Sequence, residues 1–318
     1  MKKSLIFLLL QPYICTRYVA EGGALLIKVE FSNEHDCEAI YKCITEHIEK
    51  GNYETVFGIS ARKIGMHQLF VSFDKDEVTF KYALQPMLAR VFRRYILSQY
   101  EMKWFHQLLE NKFYFRDYDE KNAIASIFFL IVDGKRTELP NVKKLPSREK
   151  LIEESIQSLL MEGFQKELAF SFDSFIKFRL KEYQECLLAY AELAIDEYKL
   201  EQDYQNFVAN LRLFLERKKP IIDKLHVVYG SKPIFYDDDF RLIQEEKITS
   251  FIKKSGFFPG NIPVESTLLQ PLLMLAPNQI FLYIDNERSG LLYTLENIFQ
   301  ERITFCKLTD LPNQSSSF

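Results

Sequence analysis

Apolar and polar residues alternate at helical spacing over one unusually long stretch, residues 174–219. Stepping from Leu187 by threes and fours reaches Tyr190, Ala194, Glu197, Glu201, Tyr204, Val208, Leu211 and Leu215. These positions share one stripe of a helix, and only Glu197 and Glu201 interrupt its apolar character. No Gly stands between Gly163 and Gly230, and no Pro between Pro146 and Pro220, so nothing in the stretch breaks a helix. Ser171 or Asp173 can cap its start. Arg217, Lys218 and Lys219 suit its negative end, and Pro220 stops it. An earlier helix is predicted over 148–168.

Upstream the periods are shorter. Residues 25–31 (LLIKVEF) read as a strand, and Asn33 as the cap of a helix over 34–50 with Ile40, Ile44 and Ile48 on one face. Residues 53–60 and 66–73 read as strands, and the alternation of Val78, Phe80 and Tyr82 as a third, after a turn at 74–76. Pro86 suits a first helical turn, followed by an apolar face at Leu88, Val91, Phe92, Tyr95 and Ile96. A second helical piece carries Trp104, Leu108 and Leu109. Residues 122–132 form a buried helix or strand too short to span a bilayer.

Downstream, 225–230 and 240–244 read as a hairpin whose loop is 231–239, and 256–263 as a second loop. A helix over 264–275 is expected to kink at Pro271. A strand over 279–285, a helix over 289–300 and a strand over 303–307 make a β-α-β unit, which implies parallel strands. The fold class is therefore α+β, mostly helical, with a small N-terminal α/β unit, a central long-helix bundle and a C-terminal α/β unit. The divisions read as a leader 1–24, an α/β unit 25–84, a helical section 85–134, a linker 135–147, the long-helix region 148–219, the C-terminal unit 220–312 and a frayed tail 313–318.

Composition changes the picture little. The 318 residues are 47% hydrophobic and 27% charged, which is ordinary for a globular chain. A net charge of -3 gives no global attraction to nucleic acid or acidic membranes. Cys15, Cys37, Cys43, Cys186 and Cys306 include no CxxC pair, and their odd, thin spread fits reduced thiols in a cytoplasm. The leader MKKSLIFLLLQPYIC is open to three readings: a signal sequence with a poor cleavage site, a genuine N-terminal element, or an upstream misplacement of a start at Leu25 or Leu26.

Candidate chemistry is sparse. Asp237, Asp238 and Asp239 could hold a divalent cation, but consecutive strand positions cannot all face inward, and a hairpin loop is the better reading. Asp196, Glu197 and Glu201 could serve a metal or a partner Arg, with a solvated or salt-bridged patch as the plainer account. His35 and Cys37, with Cys43 and His47, lie on different helical faces, which disfavours a shared metal. Arg90, Arg93 and Arg94 are candidate phosphate contacts, against an ordinary solvated face. Asp285, Arg288 and Ser289 lie where a strand gives way to a helix, a place α/β sheets use for ligands, although Ser289 also serves as a plain cap. No dinucleotide, P-loop, GxSxG, HExxH or kinase motif occurs.

FDSFIKFRLKEYQE at 172–185 and AIDEYKLEQDYQNFV at 194–208 resemble the YtxC-like family of putative sporulation proteins from endospore-forming Firmicutes. LLQPLLMLAPNQIFLYI at 268–284 and LLYTLENIFQERITFC at 291–306 resemble its closing segments. The resemblance implies a cytoplasmic protein in a spore former. It supplies no catalytic residue, cofactor or substrate. Three functional readings remain. The first is a sporulation-linked, non-enzymatic interaction or regulatory protein, without cofactor, metal or membrane span, that meets a protein partner through Phe175, Arg179, Tyr183, Asp196, Glu197 and Glu201. The second is a ligand- or nucleotide-binding protein or enzyme using the C-terminal unit. The third, disfavoured by charge, is a nucleic-acid accessory factor.

Overall fold

The computed structural model describes residues 25–73, 77–163, 168–254, 267–285 and 290–311. The leader, the turn at 74–76, the loop at 256–263, Arg288, Ser289 and the tail lie outside them. The fold is α+β and mostly helical. The chain divides into two compact units, one through Tyr198 and one from Lys199.

The first unit starts with β1, Leu25–Glu30, and α1, Glu34–Lys50. Asn33 caps α1 by accepting from the His35 N–H at 2.9 Å, and Ile40, Ile44 and Ile48 are buried on one face. A one-turn helix follows, α2, Tyr53–Phe57, where the sequence predicts a strand. Asn52 and Gly58 flank it in the left-handed region, at φ 50° and 63°, and the Gly58 N–H closes on the Glu54 carbonyl. That local closure outweighs the β-propensity of Tyr53, Thr55, Val56 and Phe57.

Strands β2, Ser60–Ile64, and β3, Gln68–Phe73, form an antiparallel pair, and β3 pairs with β1. The strand expected at Val78, Phe80 and Tyr82 is instead helical. A short α3, Glu77–Thr79, runs through a π-turn at Phe80–Leu84 into α4, Gln85–Gln99. Phe80, Ala83, Leu84, Met87 and Leu88 are buried at helical spacing, while Val78 and Tyr82 face solvent. The Gln85 N–H reaches back five residues to the Phe80 carbonyl. Such a widened turn accommodates Pro86, which has no N–H to offer.

Helices α5, Glu101–Asn111, and α6, Tyr118–Val132, come next. Asp117 caps α6 by accepting from the Glu120 N–H at 2.9 Å, and the apolar run at 122–132 is helix. The connection after it lays Leu139, Val142 and Leu145 against the core. Helix α7, Arg148–Gly163, is followed by a strand the sequence hides, β4, Leu168–Ser171. Its backbone pairs in parallel with β1, giving the order β2-β3-β1-β4. Four residues suffice because the neighbouring strand supplies the ladder. Ser171 caps α8, Phe172–Arg179, and the Asp173 carboxylate accepts from the Ser32 N–H and Oγ.

Buried Leu180 separates α8 from α9, Lys181–Arg217, so the long helical stretch is two helices rather than one. In α9, Leu187, Tyr190 and Ala194 are buried in the first unit, and Val208, Leu211 and Leu215 in the second. Residues 199–203 between them are exposed all round. The apolar stripe thus stops and resumes where Glu197 and Glu201 interrupt it.

The second unit continues with β5, Lys224–Val228, and β6, Ile234–Tyr236. This antiparallel pair corrects the predicted hairpin: the partner strand lies inside the expected loop, and Leu242 makes only a single bridge to Tyr236. Asp237 Oδ1 accepts from the Asp239 and Arg241 N–H groups at 3.1 and 2.8 Å, which turns the chain early. Helices α10, Glu245–Lys254, and α11, Leu269–Leu275, follow. Pro271 sits in the first turn of α11, where its missing N–H has no intrahelical partner to lose, so no kink is required. Then β7, Gln279–Ile284, α12, Gly290–Phe299, and β8, Ile303–Lys307, form the expected parallel β-α-β unit in a sheet of order β6-β5-β7-β8.

Candidate functional site

Two carboxylates sit in the interior of the first unit at positions a helix would ordinarily give to apolar residues. On α1, Asp36 stands in register with Ile40, Ile44 and Ile48, and it is 6% exposed. On α5, Glu101 stands in register with Phe105 and Leu109, and it is 3% exposed. A buried carboxylate is costly unless its oxygens are engaged. Both are. The Tyr95 hydroxyl donates to Asp36 Oδ1 at 2.7 Å, and the Tyr100 hydroxyl donates to Asp36 Oδ2. The Tyr183 hydroxyl donates to Glu101 Oε1 at 2.9 Å, and the Arg148 guanidinium pairs with Glu101 Oε2.

The environment shifts the groups around these carboxylates. Burial, then the bond to Asp36, holds the Tyr95 and Tyr100 phenols well above the ordinary range. Burial and the charge of Glu101 do the same to Tyr183. Burial works most strongly on the Arg148 cation and lowers it, but the bond to Glu101 and the charge of that carboxylate, with smaller help from Tyr183 and Glu149, together raise it. The Cys186 thiol is pushed up to about 11 by burial, with Arg148 opposing and Glu101 adding. A thiol so placed stays protonated and unreactive near neutrality.

These pairs fix the rings behind an open cleft. Trp104 packs against Tyr100 at 5.3 Å between centroids and against Tyr183 at 5.9 Å. Each of those tyrosines is tied to a buried carboxylate, so the indole rests on two anchored rings. The cleft, of about 470 Å³, lies beside the α5 face that carries Trp104, Gln107, Leu108 and Asn111, with Gln184 and Leu187 contributed by α9. Lys112 and Tyr114 complete its lining. After α5 the chain passes through Tyr114 at φ 64°, a left-handed conformation rare for an aromatic residue, and leaves its side chain 75% exposed. The Phe113 and Phe115 N–H groups close on Leu108 and Leu109 on either side, which holds that conformation. Among the described residues, the side chains of Trp104, Gln107, Asn111, Lys112 and Gln184 have no hydrogen-bond partner.

The residues singled out from the sequence fall elsewhere. Phe175 and Tyr183 are core residues, at 4% and 0% exposure, which corrects their assignment to an interaction surface. Arg179 is exposed and clamps Glu162 through two bonds of 2.8 and 2.7 Å. Glu197 pairs with Arg136, while Asp196 and Glu201 face solvent. Arg93 is paired with Glu153 at 2.7 Å and lies 4.0 Å from Glu149, so much of its charge is spent within the fold. Arg90 donates to the Pro86 carbonyl, and Arg94 is exposed. Asp285 is exposed beyond β7. Asp238 and Asp239 pair with Lys224 and Arg241. His47 Nδ1 bonds the Cys43 carbonyl and Cys37 is fully buried, so the two residue pairs on α1 do not converge. Among the described residues no group of three His, Cys, Asp or Glu side chains is placed to hold a metal ion. No described helix is long and apolar enough to cross a membrane.

A second cavity, of about 600 Å³, lies in the second unit between β6 and α10, with Phe235, Leu242, Ile243 and Ile248 in its lining. Beside it in sequence, on β5, the His226 ring stacks on Phe281 at 4.8 Å and bonds the Tyr283 hydroxyl at 3.1 Å.

Sequence reasoning missed Asp36, Glu101, Arg148, Tyr100 and the role of Trp104. The available signal was an acid occupying an apolar stripe, four residues before Ile40 in one helix and before Phe105 in the other.

Fold and site together define a mostly helical α+β protein whose buried carboxylates orient the aromatic floor of an open cleft. Residues 86–304 match the YtxC-like family. The chain is also 30% identical over 283 residues to the uncharacterized protein YtxC of Bacillus subtilis (strain 168), covering 89% of this chain and 95% of that one. The chain belongs to the YtxC-like family. No solved structure matches it.

Proposed function

We propose that this chain is a cytoplasmic, non-enzymatic interaction or regulatory protein that acts in sporulation and meets a protein partner at the α5–α9 cleft. The observation that carries this reading is the arrangement behind Trp104: two buried carboxylates hold the two tyrosines on which its ring rests. A protein tolerates buried charge where it purchases a defined geometry, and here the geometry faces an open surface.

The test is deletion of the gene in an endospore-forming host, with heat-resistant spores counted. The expected result is a spore deficit that the wild-type gene restores and a Trp104→Ala variant of equal abundance does not. Parental spore numbers in the deletion strain would remove the sporulation role.

The second-unit cavity favours one further reading, in which that unit binds a small apolar ligand. A thermal-shift screen over nucleotides, metals and lipids separates the two, because a tight ligand raises the melting temperature by mass action.

A further inference from the structure

We propose that the α5–α9 cleft binds an extended protein segment that presents a large apolar or aromatic side chain beside a carboxylate. This rests on reading the chain as an interaction protein and names the chemistry of its partner.

The apolar half of the recognition follows from the floor. Trp104 and Leu108, with Leu187 buried beneath them, give a surface that an aromatic or branched aliphatic side chain can cover, and the anchored rings behind Trp104 keep it from collapsing when empty. Tyr114, strained and exposed at the lip, adds a second ring. Backbone held in that region persists only where its surroundings enforce it, and such positions cluster at ligand clamps.

The backbone half follows from the carboxamides. Gln107, Asn111 and Gln184 each offer a donor and an acceptor, and none is engaged by the described residues. Gln107 and Asn111 are one helical turn apart, about 6 Å along the axis. Alternate peptide groups of an extended chain repeat at about 6.6 Å. Two carboxamides at that spacing suit successive outward-facing peptide groups of a strand-like segment.

The charge follows from Lys112, the one ionisable amine in the lining, which contains no carboxylate. Its ammonium lies 5.9 Å from the centroid of the Phe113 ring and has no acid partner among the described residues. A single carboxylate on the partner matches it. One cation is too few for a polyphosphate backbone, and the chain's net charge of -3 opposes nucleic acid further. Gln107, Asn111, Lys112, Tyr114 and Gln184 are all exposed, so the cleft is too open to enclose a small molecule as ligand pockets do.

The experiment uses a phage-displayed random heptapeptide library selected on the full chain. Enriched peptides are expected to place Phe, Tyr, Trp, Leu or Ile within two positions of Asp or Glu. A synthetic copy of the dominant peptide, chosen without Trp, should shift the emission of the protein saturably, because Trp104 is the chain's one tryptophan. Lys112→Glu should weaken binding at least about tenfold. The peptide's own Asp→Asn or Glu→Gln change should weaken wild type similarly and add little to Lys112→Glu, as expected for two groups that contact each other. Gln184→Ala should weaken binding by about threefold to tenfold, the size of one hydrogen bond. Both substituted positions are exposed, and circular dichroism checks that the variants fold.

No enrichment, an emission that does not move, or binding indifferent to both substitutions would overturn the proposal. So would self-association in sedimentation that Lys112→Glu abolishes, which would make a second copy the occupant, or displacement of the peptide by an oligothymidylate at stoichiometric concentration. Peptide binding with normal spore counts would leave the cleft intact and discard only the sporulation role. A spore deficit without peptide binding would do the reverse.

Discussion

The Tyr183 hydroxyl donates to Glu101 Oε1 at 2.9 Å, joining the start of α9 to the start of α5 across 82 residues of sequence. Arg148 holds the other carboxylate oxygen. Neither tyrosine nor arginine is near Glu101 in the chain, yet the buried acid depends on both.

Arg148→Met should therefore be strongly destabilising. It leaves Glu101 buried without its cation, and breaking such a pair costs about 3 kcal/mol. Glu101→Leu combined with Arg148→Met should cost less than Arg148→Met alone, since no orphan charge remains. Urea unfolding of the single and double variants checks the order.

Stability should fall on the alkaline side. The folded values of Cys186 and Tyr183 are raised, Cys186 from 9.0 to about 11. A group raised by folding contributes stability that is full below its unfolded value and is lost as the pH rises toward its folded value. The loss should begin near pH 9 for Cys186 and near pH 10 for Tyr183. Tyr183→Phe should be less stable at pH 7 by about 1–2 kcal/mol and should show a shallower decline above pH 10. Melting curves from pH 7 to 11 give both.

On the acid side the sign reverses. Burial lowers His226 below its ordinary 6.5, with Asp238 opposing and Lys224 adding. Its contribution is full above pH 6.5 and is lost as the pH falls through the folded value. His226→Phe should flatten the pH dependence of unfolding between pH 7 and 5. His106, lowered by burial and then by Lys121, should leave part of the slope in place. Denaturant titrations at half-unit pH steps measure it.

Tyr100→Phe should loosen the cleft floor without removing a ring. It deletes the donor to Asp36 Oδ2 and should cost about 2 kcal/mol, in the range for bonds to charged groups. Trp104, released from a fixed neighbour, should emit at longer wavelength. An unchanged spectrum would mean that the Asp36 bond does not hold the floor.

Local signals were legible where a single element satisfies itself. The Asn33 cap, the Ile40-Ile44-Ile48 face, the broken stripe of α9 and the parallel β-α-β unit all follow from spacing and capping, which neighbours in sequence decide. The failures were at short apolar segments. Tyr53–Phe57 and Val78-Phe80-Tyr82 carry strand-like residues, yet left-handed flanks and a continuous buried face made them helix. β4 was invisible because its hydrogen bonds belong to β1.

The sequence by itself determined a mostly helical α+β chain, the long helical stretch and the interruption of its apolar stripe, because periodicity encodes which face of an element meets the core. Only the tertiary structure decided that Asp36 and Glu101 are interior, that Tyr100 and Tyr183 answer them, and that Trp104 lies between those rings beside a cleft. A carboxylate in an apolar stripe looks like an interruption until the partners that make its burial affordable arrive from other helices. Those partners lie 47 to 82 residues away from Glu101, and no local pattern joins them.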